Sequence, residues 1–179
     1  MIALSALFWI LVVLFAIIGL NRGWAKEILV SFSIILGLFI INVLETFVPF
    51  IKNLAAVNQT GMVYWIRTIL IIALVFFAYQ GPNIPRLAAT NRFVREKLQD
   101  SLLGFFLGAI NGYLMVGALW FFMDKAGYPF SNLISAPPPG DFGEASRRLI
   151  AILPPVWLQS PTIYFAVAIC FAFILVVLI

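Results

Sequence analysis

The sequence predicts an all-α, polytopic integral membrane protein: a four-span helical core, a fifth C-terminal span, and one or two interfacial amphipathic helices. Three observations predict it. The chain is 64% hydrophobic and only 10% charged, whereas a soluble domain carries about a quarter charged residues. Residues 1–18 and 28–44 carry no charge at all, and a bilayer core of about 30 Å is crossed by about 20 apolar residues of helix. Between those two runs lies Gly19-Leu20-Asn21-Arg22-Gly23-Trp24-Ala25-Lys26-Glu27. A stretch so short between two spans must turn tightly at the membrane surface, where cations favour the cytoplasmic side and Trp favours the interface.

The first span covers residues 2–20 and the second residues 27–50, ending near Pro49. Both are helices, because only helices and closed barrels satisfy the backbone in lipid. The first reads as a retained span, since it lacks a positive n-region and a small-x-small cleavage site and is long for a signal sequence. Residues 51–61 form a short, weakly charged loop with Lys52, and its Asn58-Gln59-Thr60 sequon carries no weight by itself. The third span covers residues 62–79, anchored at the interface by Tyr64 and Trp65. Four of the eleven basic residues fall within residues 80–101. There Leu87, Val94 and Leu98 recur at helical spacing among cations, which fits either a helix lying on the headgroups or a polar extension of the fourth span.

The fourth span, residues 102–123, carries Gly104, Gly108 and Gly112 on one face, a groove that admits a close-packed helix. Residues 124–160 form the longest polar segment. After the breaker Pro137-Pro138-Pro139-Gly140, Asp141 and Glu144 resemble a helix start. A short amphipathic helix through Arg147 and Arg148 follows, packed by Trp157 and stopped by Pro154-Pro155. Residues 161–179 supply the fifth span. The chain thus divides into a four-span membrane domain (1–123), an extramembrane loop with an amphipathic helix (124–160) and the added span (161–179). Lys and Arg number six in the first and third loops and four in the second and fourth, which places the N-terminus outside.

The chain has no His, which removes His-ligated haem, most zinc sites and His-based acid–base catalysis. Cys170 is the single cysteine and reads as a small packing residue. No nucleophile elbow, phosphate loop or paired carboxylates within a span are present, so the sequence calls for no enzyme and no cofactor. The net charge of +4 is spread over short loops and points to lipid headgroups, not nucleic acid.

Two charges lie within spans. Glu45 and Arg67 sit at similar depth near the outer face, so they pair or share a wet cavity, or each snorkels to the interface. Asn111, midway along the fourth span, suits a tie between helices more than a pore or ligand role. If the second helix begins near Asn21, Arg22 and Lys26 share a face beside Glu27. They can then engage lipid phosphate, an acidic partner or Asp100; otherwise the stretch simply fixes topology.

The stretch from Gly19 to Glu27 resembles the G-x-x-R-G-x-x-[RK]-E turn of the colicin V production protein family. Asp100-Ser101-Leu102-Leu103-Gly104, followed by Gly108 and Gly112, is similar to that family's acidic residue and glycine-ladder helix. The resemblance covers residues 2–123 and carries over onto Arg22, Gly23, Lys26, Glu27, Asp100, Gly104, Gly108 and Gly112. The family often has a basic residue where this chain has Asn111, and its usual layout has four spans. The resemblance implies a bacterial inner-membrane accessory protein with a role in toxin production or export and envelope maintenance. Membrane lipids and other membrane subunits, or a homo-oligomer, would be its partners. The competing readings are an oligomeric channel or small-solute transporter using Glu45, Arg67 and Asn111, and a packing subunit of a respiratory or photosynthetic complex.

Overall fold

A computed structural model describes residues 4–57, 61–80 and 94–178, and among these residues there is no strand. Helix α1 spans Leu4–Arg22 and α2 spans Trp24–Phe47. Only Gly23 separates them, with φ of 82°, a conformation that favours glycine over any residue bearing a Cβ. Val48 then adopts an extended conformation, as the residue before a proline prefers, and α2 ends there. Pro49 does more than stop α2, because it opens α3, Pro49–Val57. The loop expected over residues 51–61 is therefore helical through Val57, since a proline at the first helical position sacrifices no hydrogen bond. The Asn58-Gln59-Thr60 sequon lies outside the described residues.

Helix α4 covers Gly61–Tyr79, and the long α5 covers Val94–Lys125. Because α5 is continuous from Val94, the stretch just before the fourth span is its polar extension. The upstream part of that stretch, including Arg86, Leu87 and Arg92, lies outside the described residues. Beyond α5 come α6, Asp141–Ile150, the single turn α7, Pro154–Trp157, and α8, Thr162–Leu178. The start of α6 is not a capping box: Gly140 occupies the cap without a side-chain bond, and Glu144 pairs with Arg148 at 2.6 Å. Arg147 instead donates to the carbonyls of Pro138 (2.6 Å) and Gly140 (2.7 Å), fastening the proline run to the helix. Pro154 does not end α6, which stops at Ile150; it begins α7 and is buried against Gly117.

Helix α5 is the centre of the bundle, with α1 on one side and α2 and α4 on the other. Val30, Ile34 and Leu38 of α2 meet Ile71 and Val75 of α4 and Leu114 and Ala118 of α5 in one core. Phe8 and Val12 of α1 pack with Trp120 and Met123 of α5 in a second. The outward faces are apolar too: Trp9, Ile10 and Val13 on α1, and Ile69, Phe76 and Phe77 on α4, are all exposed. Faces of that kind suit acyl chains. Among the described residues four helices, α1, α2, α4 and α5, are long and apolar enough to cross a bilayer. The shorter apolar α8 runs antiparallel to α2, with Tyr164 against Phe39 and Phe173 against Phe32.

Candidate functional site

The ionisable groups within the bundle gather at its two ends. At the α1–α2 turn, three glycines of α5 let α1 approach until backbones touch. A Cβ on Gly104 would strike the carbonyl of Gly19, one on Gly108 the carbonyl of Phe15, and one on Gly112 would lie 3.0 Å from Val12 Cα. The glycine face is thus filled by the chain's own first helix. One turn below Gly104, Asp100 reaches the turn itself: its Oδ1 accepts from the Trp24 amide at 3.3 Å, capping α2 from another helix. A Cβ on Gly23 would sit 2.6 Å from Asp100 Oδ2, so both the conformation and the space at this position exclude a side chain.

The sharp turn at Gly23 carries Glu27 inward. Its side chain is fully buried, not surface-exposed as its polar neighbours suggest. Arg22 Nη1 donates to Glu27 Oε1 at 2.7 Å, and Asn111 Nδ2 donates to Oε2 at 2.8 Å and to the Glu27 carbonyl at 2.9 Å. Ser31, one turn along α2, donates to Asn111 Oδ1 at 2.6 Å. Arg22 also donates from Nη2 to the Tyr79 carbonyl at 3.1 Å and lies 4.1 Å from the centre of that ring. One knot therefore ties α1, α2, α4 and α5, with a charge pair whose desolvation is offset by hydrogen bonds at both carboxylate oxygens. The shared Arg22–Lys26 face does not exist, because Gly23 divides the two helices: Arg22 turns into the knot, whereas Lys26 is exposed.

At the other end, Arg67 Nε donates to Glu45 Oε1 at 2.6 Å, joining α2 to α4. The pair lines a cavity of about 450 Å³ together with Asn42, Lys125 and Gln159. Among the described residues no group of three or more His, Cys, Asp or Glu gathers as metal ligands would.

Ser31 and Tyr79 carry only weak sequence signals: Ser31 follows Glu27 by one helical turn, and Tyr79 closes the third apolar run. Lys125 and Gln159 had no sequence signal tying them to Glu45, because only the return of α5 and of the segment before α8 to that end brings them there.

Apolar outer faces, and charges paired at both ends of the bundle, define a multi-pass α-helical membrane protein. The colicin V production protein family matches residues 4–136, and the chain belongs to that family. Membership supports a membrane accessory role in bacteriocin production. The matched stretch takes in the whole knot at the turn and ends before α6. No curated protein and no solved structure matches the chain significantly.

Proposed function

We propose that this protein is a non-enzymatic accessory of the bacterial inner membrane, serving toxin export and envelope maintenance by holding other membrane subunits against its lipid-facing helices. The observation that carries this reading is the separation of its two polar ends. Glu27 and Glu45 lie about 27 Å apart along α2 at the α-helical rise. Between them the core is filled by Ile34, Leu38, Ile71, Val75, Leu114 and Ala118, all buried. Among the described residues the chain so packed offers no polar stripe for an ion or solute, whereas transport sites gather ionisable groups near the midplane. Both carboxylate oxygens of Glu27 are already engaged, which suits a rigid tie better than a proton relay. The glycine face is used within the chain, so partners would meet the exposed apolar faces of α1 and α4, with Trp9 and Phe77 as large anchors.

The test is purification of the tagged protein from its native membrane in mild detergent, followed by native gel and mass analysis. A defined set of co-purifying membrane subunits, lost when Trp9 and Phe77 are replaced by Ala, is the expected result. A pure homo-oligomer that conducts ions in liposomes would replace this reading with the channel.

A further inference from the structure

The cavity around Glu45 and Arg67 lies at the end of the bundle opposite the knot, and the geometry points to it as a binding site for a phosphate group. This inference stands independently of the accessory reading. The cavity measures about 450 Å³, within the range of about 300–1,000 Å³ of small-molecule sites. Its charged lining is two cations, Arg67 and Lys125, against one acid, Glu45, so a bound anion meets excess positive charge.

Arg67 is held ready rather than consumed. Its Nε is bonded to Glu45 at 2.6 Å, which fixes the plane of the guanidinium. Among the described residues its terminal nitrogens donate no hydrogen bond. A guanidinium pinned through Nε leaves the fork that grips phosphate through paired N–H donors. Lys125 makes no ion pair among the described residues; its ammonium sits 5.4 Å from the Phe121 ring. Asn42 and Gln159 add amide groups to the same lining. A fork, a point charge and amides together exceed what the two oxygens of a carboxylate can accept, and they suit the oxygens of a phosphate.

The inner wall is apolar, with Leu38, Ile41, Phe122 and Leu158 beneath the charged rim. Such a site takes the phosphate of a lipid headgroup, its carbon portion against that wall, or free phosphate at the rim alone. Both sources share the same contacts at Arg67 and Lys125.

The experiment uses the full chain in neutral detergent. Native mass spectrometry follows added phosphatidylglycerol, and the shift in unfolding temperature follows added inorganic phosphate, each for wild type, R67Q, K125Q and K52Q. Lys125 is exposed and makes no ion pair among the described residues, so K125Q folds even if R67Q, which strands Glu45, does not. Lys52 is exposed and outside the cavity, and K52Q controls for the lost charge. At least one probe is expected to bind, with K125Q weakening it about tenfold, the loss of one charge-assisted hydrogen bond, and K52Q leaving it unchanged. Lipid binding with no phosphate response identifies the headgroup as the ligand; a phosphate response alone identifies the free ion. Binding of neither probe, or equal weakening by K125Q and K52Q, overturns the proposal.

Discussion

At the scale of the residue, Asn111 decides how Glu27 is kept buried. Its amide supplies two donors to Glu27 and its carbonyl accepts from Ser31, so every polar atom of the side chain is used. N111A removes the donor at Glu27 Oε2, at a cost of about 1–3 kcal/mol, while Ser31 still donates to the Glu27 carbonyl. N111D is worse, because a second carboxylate stands within 3 Å of the first with Arg22 as the shared cation, and the penalty for an uncompensated buried charge is about 3–5 kcal/mol. Thermal unfolding in detergent should rank wild type above N111A above N111D; equal midpoints for the two variants would show that charge plays no part in the knot. Tyr128, beyond the end of α5, gives a second test at this scale. It is buried, accepts from Trp120 and donates to Asp124, each at 3.2 Å. Burial, with Asp124 adding to it, pushes its hydroxyl from 10.0 up to about 12. A folded-state value above the unfolded one means that the folded chain keeps the proton more tightly. The corresponding stability is complete below pH 10 and is lost as pH rises toward 12. An unfolding midpoint that falls between those values in wild type, and falls less in Y128F, is the expected result.

At the scale of the element, the seam between α1 and α5 is set by absent side chains. G104A and G108A each push a methyl group into a carbonyl of α1. Since backbone cannot rotate aside, the helices must separate, costing about 1–3 kcal/mol each. G117A meets the buried ring of Pro154 at 2.7 Å instead, so its strain falls on α7 and not on the α1–α5 seam. Disulfide or spin-label distances between α1 and α5 would check the separation directly: they should widen in G104A and stay fixed in G117A. The glycine spacing was legible in the sequence, because a four-residue repeat lies on one face whatever surrounds it. Its occupant was not legible, since spacing says that a backbone comes close and never whose. Glu27 shows the same limit from the other direction. Beside Lys26 and Trp24 it reads as a surface residue, and only the positive φ of Gly23 sets it apart from Lys26 and turns it inward. Pro49 was legible as a stop, but a proline that ends one helix also suits the start of the next, and nothing local distinguishes the two.

At the scale of the whole molecule, the order of the four long spans followed from charge-free runs, because hydrocarbon tolerates so few alternatives to a helix. The role of the last helix depends on how it lies. Helix α8 is 17 residues long, about 25 Å at the α-helical rise and slightly short of a bilayer core. Its packing nonetheless runs along α2: Tyr164 donates to Asn42 near one end, and Phe173 meets Phe32 toward the other. It therefore travels from the end that holds Arg67 back to the end that holds the knot, and a modest mismatch of this size is absorbed by local thinning of the bilayer. Two consequences can be measured together. In a C170A background, single cysteines at Lys26 and Lys125, both exposed, report opposite faces. The excess of cations around the turn and the third loop predicts a cytoplasmic Lys26, and on that expectation an impermeant maleimide applied to intact cells should label K125C and spare K26C. A fluorescent protein fused after Ile179 should then mature in the cytoplasm, on the same side as Lys26. If the fusion instead reports the side of Lys125, α8 lies on the surface and the chain has four spans; if both cysteines exchange labelling, the charge count has misassigned the orientation while the antiparallel path of α8 stands.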